Sequence, residues 1–180
     1  KRHSLTESGI SPLAVPGDGP FVVVTDSDEH SEEGHLVEDR QTRLAMTEKR
    51  LFRKLPGLAA EIDPPLFYGS ENPEVVIVCW GSTYGATKEV VDILSRKGPV
   101  AMLHFSELYP FPGTEKFDYL GLLKGARLTL CVEQNATGRF ATLMGSETGF
   151  TFHKHIRRFD GRPYTVDTLM GEINGHIAGL

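Results

Sequence analysis

The sequence predicts an α/β fold, a three-layer α/β/α sandwich built on a mostly parallel sheet. Two observations predict it. From residue 75 onward, apolar runs of strand length alternate with amphipathic stretches of helical length, as expected of strands joined by crossover helices. The runs are also unbroken. Val75-Val76-Ile77-Val78-Cys79-Trp80 has no polar position, so both faces of that strand must be covered, and helices above and below the sheet cover them.

The elements follow in order. Residues 1–20 are rich in Ser, Gly and Pro, and Pro12, Pro16 and Pro20 oppose both a helix interior and a central strand, so this stretch is expected as an arm or linker ahead of a domain over 21–180. A short apolar run over 21–25 leads into a polar loop with Asp26, Asp28, Glu29, Glu32, Glu33, Glu38 and Asp39, expected to be solvated. Residues 40–55 read as a helix. Leu44, Leu51 and Leu55 recur near helical spacing, Asp39 can cap the start, and Pro56-Gly57 is expected to stop it. Arg40, Arg43, Lys49, Arg50, Arg53 and Lys54 make the helix basic, so it can answer the acidic loop. Pro64-Pro65 and the turn Ser70-Glu71-Asn72-Pro73 then separate this region from the alternating part. There the expected order is strand Val75–Trp80, helix 83–97, strand Val100–Phe105, helix 114–123, strand Leu128–Glu133, helix 138–147, an edge strand over 151–157 and a last helix over 165–177.

Composition narrows the function classes. The 180 residues suit one ordinary domain plus an extension. With 24 acidic residues against 19 basic ones the formal charge is −5, which gives no global electrostatic case for nucleic acid or an anionic membrane as partner. The clearest apolar stretches fall far short of the ~20 residues of a membrane-spanning helix, and no signal peptide is visible. Cys79 and Cys131 each sit in a strand-like run, which fits reduced thiols in a cytoplasmic protein. The opening Lys1-Arg2-His3, without an initiating methionine, is expected of a segment excised from a longer chain.

Five features tempt a functional assignment. Gly81-Ser82-Thr83-Tyr84-Gly85 is a glycine-flanked turn between a buried strand and a helix. Thr83 could be an elbow nucleophile, or the helix start could cradle a phosphate, but no histidine and acid are spaced to serve an elbow, and Ser82 or Thr83 as a plain helix cap is the better reading. Gly17-Asp18-Gly19 imitates the start of a thiamine diphosphate and magnesium motif, but the asparagine that completes such a site is missing until Asn72, so turn residues are the better reading. His30 and His35 in the acidic loop match no metal-site spacing. His153 and His155, near Arg157, Arg158 and Arg162, could meet an anion, an acidic partner or a neighbouring subunit. Glu133 ends a buried strand ahead of Gln134-Asn135-Ala136-Thr137-Gly138, where α/β folds often place functional groups, yet Asn135 or Thr137 capping a helix with a Phe140, Leu143 and Met144 stripe explains most of it.

Six stretches together resemble the C-terminal region of the alpha subunit of 2-oxoacid:ferredoxin oxidoreductases, the 2-oxoglutarate type in particular. They are Glu29-His30-Ser31-Glu32-Glu33-Gly34-His35, Glu48-Lys49-Arg50-Leu51, Trp80-Gly81-Ser82-Thr83, Leu108-Tyr109-Pro110-Phe111-Pro112, Val132-Glu133-Gln134-Asn135-Ala136-Thr137-Gly138 and Phe159-Asp160-Gly161-Arg162-Pro163-Tyr164-Thr165, in the family's order. The sequence departs from the family pattern at Gln134, more often acidic there, and around Thr25-Asp26.

The resemblance implies a transketolase C-terminal-like fold with a five-stranded sheet, one strand of it antiparallel. It implies that the whole enzyme oxidatively decarboxylates a 2-oxoacid with coenzyme A to an acyl-CoA, carbon dioxide and reduced ferredoxin. Thiamine diphosphate, Mg2+ and an iron–sulfur cluster would then be held by an upstream pyrimidine-binding domain and the beta subunit, with no catalytic, cofactor or metal residue in this chain. This chain's share would be structural, with Gly81, Ser82, Thr83, Asn135, Thr137, Gly138 and Arg139 as the turns nearest an interdomain face or an anion. The alternatives are the equivalent domain of transketolase or of a 2-oxoacid dehydrogenase beta subunit, a free-standing module binding an anion or nucleotide at the Gly81 turn, and a small hydrolase using Thr83.

Overall fold

The computed structural model describes residues 1–23 and 28–177. Val24 and Thr25 of the apolar run 21–25, together with Asp26, lie outside the described residues. The chain divides into two compact units, Lys1–Ile62 and Asp63–Leu180.

In the first unit, residues 1–20 lie with the helical segment that follows residue 39. Helix α1 (Arg40–Glu48) starts as its sequence requires, with the Asp39 carboxylate accepting the Thr42 N–H at 2.9 Å. It does not stop at Pro56-Gly57. A π-helical stretch (Lys49–Lys54) follows, and then α2 (Leu55–Glu61), in whose first turn Pro56 sits where no intrahelical N–H is needed. The acidic loop does answer this basic helix, among the described residues through Glu29. Glu29 takes the Arg50 guanidinium in a fork at 2.8 and 2.7 Å and Arg43 at 3.2 Å, with only 8% of its side chain exposed, so it is not the solvated loop residue expected.

The second unit holds one five-stranded sheet: β1 (Leu66–Gly69), β2 (Val75–Trp80), β3 (Val100–Phe105), β4 (Leu128–Glu133) and β5 (Lys154–Arg157), in the order β1-β3-β2-β4-β5. Only β1 runs antiparallel, pairing Phe67 with Leu103 and Tyr68 with Met102 on β3. The remaining pairings are parallel, with Ile77 between Met102 and Leu130 at the centre. Both faces are covered. One carries α3 (Tyr84–Leu94) and α6 (Val166–Ile177), which pack Val90, Val91, Leu94, Leu169 and Ile173 on Val75, Ile77 and Cys79. The other carries α4 (Tyr119–Gly125) and α5 (Arg139–Thr148), packing Tyr119, Leu123, Phe140 and Met144 on Val76, Val78, Leu103 and Phe105. Phe105 anchors this second layer, edge-on to Tyr119 with ring centres 5.5 Å apart and tilted on Phe140 at 4.9 Å. The three layers read from the unbroken strands are therefore present.

The helix expected over 114–123 forms only from Tyr119. Asp118 caps it by accepting the Gly121 N–H at 2.8 Å, after a loop with Pro110 and Pro112. The edge strand is shorter than expected, Lys154–Arg157, because His153 turns its ring onto β4 instead of continuing the ladder: Nδ1 lies 3.0 Å from the Thr129 backbone nitrogen, whose N–H it accepts.

Candidate functional site

Strand order locates the one crevice that this topology builds. After β2 the chain crosses to β3 by α3 on one face, whereas after β4 it crosses to β5 by α5 on the other. The adjacent carboxyl ends of β2 and β4 therefore part, and it is outside such ends, at the switch in winding direction, that open α/β sheets receive ligands or partners. The two turns singled out in the sequence, after Trp80 and after Glu133, flank this point.

The β2 turn begins at Gly81, whose φ of +56° suits glycine, and closes as one turn of 3-10 helix, Gly81–Thr83. Thr83 stands at the helix-capping position but does not cap. Its hydroxyl donates back to the Trp80 carbonyl at 2.7 Å and the residue is only 3% exposed, so neither the capping role nor a presented nucleophile describes it. His104, from the neighbouring β3, reaches the Gly81 carbonyl with Nε2 at 3.0 Å. A carbonyl only accepts, so that nitrogen carries the proton. The same imidazole meets the Tyr84 ring edge-on at 4.9 Å. The Trp80 indole Nε1 is buried with no partner among the described residues.

The β4 turn is organised by Glu133, which is fully buried. Its carboxylate accepts the N–H groups of Phe140 at 2.7 Å and Ala141 at 3.1 Å, the orphan donors of the first turn of α5, and the Asn135 side-chain amide at 2.8 Å. Asn135 in turn accepts from Thr137 and Arg139 N–H at 3.2 and 3.1 Å, so it satisfies the first N–H of α5 from outside the helix, while the cap position itself falls to Gly138. Thr137 does not cap. Gly138, buried at φ +66°, lets the chain turn tightly enough for α5 to aim its start at Glu133. Arg157 from β5 holds the Ala136 carbonyl at 3.2 Å.

Gln134 joins the two turns. Its side-chain oxygen accepts from Ser82 Oγ at 3.3 Å, and its nitrogen donates to the Arg162 carbonyl at 3.1 Å. The structure therefore brings the Gly81–Thr83 turn beside Gln134 at the crevice, whereas Thr137 and Arg139 lie further along, exposed at the start of α5. His104 carried no sequence signal as a site residue, whereas Gln134 and Trp80 lay inside stretches the sequence singled out without being named as site residues. A glutamine directly after a buried strand end, next to a residue already suspected, was the available hint.

The basic cluster is mostly committed. Arg158 forks onto Asp160 at 2.8 Å through two nitrogens, holding that carboxyl down to about 2, and sits over the Tyr164 ring. His30 stacks on His3 with centroids 4.5 Å apart. Among the described residues no group of three or more His, Cys, Asp and Glu could hold a metal. Cys79 and Cys131 are free and buried, and burial pushes the Cys79 thiol up to about 12 and Cys131 higher still, with Glu133 adding to the latter.

Known proteins resemble this chain closely enough to place it. The alpha subunit of 2-oxoacid:ferredoxin oxidoreductase 1 of Aeropyrum pernix is 34% identical over 166 residues, which is 88% of this chain and 26% of that protein. The chain is a homologue of the 2-oxoacid:ferredoxin oxidoreductase alpha subunits. The alpha subunit from Saccharolobus solfataricus agrees, at 33% identity over 173 residues, 94% of this chain and 26% of its own length. This alpha-subunit homologue thus spans about a quarter of the length of the curated relatives it matches. Among solved structures, a 2-oxoglutarate:ferredoxin oxidoreductase from Magnetococcus marinus with 2-oxoglutarate, coenzyme A and succinyl-CoA bound superposes with a TM-score of 0.70 at 25% identity, covering 97% of the homologue and 30% of that chain. No family model matches the homologue.

Proposed function

We propose that this chain is the transketolase C-terminal-like part of the alpha subunit of a cytoplasmic, thiamine-diphosphate-dependent 2-oxoacid:ferredoxin oxidoreductase, with 2-oxoglutarate as the 2-oxoacid, and that its role there is scaffolding. The carrying observation is that the polar groups at the crevice, the Trp80 indole N–H excepted, are spent on one another. Glu133 is closed off by α5 and Asn135, Thr83 by Trp80, and Gln134 by Ser82 and Arg162, which leaves a shaped, preorganised surface rather than a presented acid, base or nucleophile. In the whole enzyme the bound thiamine would supply the carbanion chemistry that decarboxylates the 2-oxoacid, and the protein supplies position. The residues of this chain do not fit the family's resident groups. Two cysteines, both buried in strands, are too few for a four-thiolate iron–sulfur set, and Gly17-Asp18-Gly19 lacks the asparagine of a magnesium site.

On this reading the turns Gly81–Thr83 and 134–139 face the upstream pyrimidine-binding domain of the same subunit or the beta subunit, with ferredoxin and coenzyme A as partners of the complete enzyme. A bulky change at the crevice mouth tests it. Ser82 is exposed, so Ser82→Trp should leave the thermal unfolding of the 180-residue chain unchanged. In an alpha subunit carrying this segment it should weaken copurification with the beta subunit and lower coenzyme A-dependent 2-oxoglutarate oxidation several-fold. Unchanged assembly and turnover would place the crevice away from any interface.

A further inference from the structure

We propose that the cationic pocket between the N-terminal arm and the π-helical stretch of the first unit binds a phosphate-bearing small anion. The pocket has a volume of about 430 Å³, within the usual range for small-molecule sites, and among the described residues its lining includes Arg2, His3, Lys49, Arg50 and Lys54 but no Asp or Glu.

Lys49 is the decisive residue. It is 7% exposed, yet among the described residues its ammonium bonds only to neutral oxygens, the His3 carbonyl at 2.9 Å and Ser11 Oγ at 2.5 Å. A buried ammonium bonded only to neutral oxygens is costly to fold around, and burial first, then the charges of Lys54, Arg50 and Arg2, lower its pKa against the weaker opposing pull of Glu32. The nearby carboxylates are engaged elsewhere. Glu29 holds Arg50 and Arg43, and Glu32 takes Lys1 and the Leu5 N–H. Two further polar nitrogens of lining residues, Arg2 Nε and His3 Nε2, are buried without a partner among the described residues, and a protonated His3 would donate from the latter. Orphaned polar atoms of this kind are rare in folded proteins and call for an occupant.

The backbone looks built to keep this arrangement. Helical bonds spanning five residues in the stretch Lys49–Lys54 set Lys49, Arg50 and Lys54 along the arm, and such stretches are rare and frequently found at functional sites. The arm comes in at Gly9, buried at φ +76°, where a Cβ would meet Lys54 N at 2.6 Å and Lys49 O at 2.7 Å. A phosphate suits the donors better than a lone carboxylate. It brings up to two charges and three or more acceptor oxygens to an ammonium, guanidinium nitrogens and an imidazole that converge from different directions.

The test uses the full 180-residue chain, titrated calorimetrically with inorganic phosphate and with adenosine monophosphate at low and raised ionic strength. One saturable site is expected, weakened by salt. Lys49→Gln should weaken it about tenfold or more, and Arg2→Gln and Lys54→Gln each by a few-fold, as loss of one charge-assisted hydrogen bond or one nearby charge implies. Lys88→Gln, in the second unit, should leave it unchanged. The His3 imidazole, held low by burial and by the charges of His30, Arg2 and Lys49, should titrate at higher pH when phosphate is bound. If Lys49→Gln fails to fold, Arg2→Gln, Lys54→Gln and the His3 titration decide. Tighter binding of the nucleotide would assign a nucleotide-type ligand and tighter binding of phosphate a free one, both upholding the pocket. No saturable site, or one indifferent to Arg2→Gln and Lys54→Gln, overturns it.

Discussion

At the scale of single residues, Glu133 shows how a buried charge holds a turn. Its two oxygens receive two main-chain N–H groups and one amide, so Glu133→Ala strands three buried or half-buried donors and should destabilise the second unit by about 3 kcal/mol. Glu133→Gln keeps one acceptor and should cost less, about 1–2 kcal/mol. Urea unfolding followed by the lone tryptophan, Trp80, measures both, and equal effects of the two changes would contradict this account.

Glu29 makes the corresponding pH prediction for the first unit. Arg50 hydrogen bonding holds its carboxyl down to about 2 from an ordinary 4.5, against the opposing pull of burial. A depressed carboxylate contributes stability that is present above the ordinary value and is lost as pH falls from about 4.5 toward 2; here it is on the order of 2 kcal/mol after allowance for the exposed arginines. Carbon-detected NMR titration of Glu29 should give a midpoint near 2, and a midpoint near 4.5 would remove the ion pair from solution. The sequence showed that an acidic loop could meet a basic helix. It could not show which of the acids turns inward, since that depends on the path of the loop from His30, bridged to Leu36, back to α1.

At the scale of elements, the central strands were legible because double-sided burial removes every polar residue from them, and β2, β3 and β4 match the expected bounds. The strand β1 was not. Four residues between Pro64-Pro65 and a Ser-Glu-Asn-Pro turn leave no periodicity to read; β1 is tolerated there because it is an edge, where a neighbouring proline removes no shared hydrogen bond. Only the family resemblance implied a fifth, antiparallel strand. Its join is tight, since Gly69 sits at φ +118° with the Val100 carbonyl oxygen 2.5 Å from where a Cβ would be. Gly69→Ala should therefore lift β1 from β3 and cost about 2 kcal/mol or more. Hydrogen exchange at Leu103 and neighbouring amides reports it, and unaltered protection would show that the edge does not depend on this contact. Helix ends were misplaced for a related reason: Pro56 reads as a stop when the preceding turn is assumed to be α-helical, but after a π-helical stretch it falls at a new start.

For the whole molecule, function lies in topology more than in any motif. The order β1-β3-β2-β4-β5 brings the Gly81 and Glu133 turns, more than 50 residues apart, to one crevice, with Ser82 and Gln134 bonded across it. Each turn was visible in the sequence, but their meeting required the strand order, which residue patterns did not supply. Among the described residues no helix is long and apolar enough to cross a membrane. The central proposal is that this segment is a supporting layer for thiamine chemistry carried out elsewhere in a 2-oxoacid:ferredoxin oxidoreductase. A chimera tests it most directly: the matching quarter of the Saccharolobus solfataricus alpha subunit is replaced by these 180 residues, and coenzyme A-dependent oxidation of 2-oxoglutarate by the assembled enzyme is measured. Turnover within about tenfold of the parent enzyme, with none from the isolated chain, is the predicted result. A folded chimera that fails to assemble, or unaided turnover by the isolated chain, would contradict it.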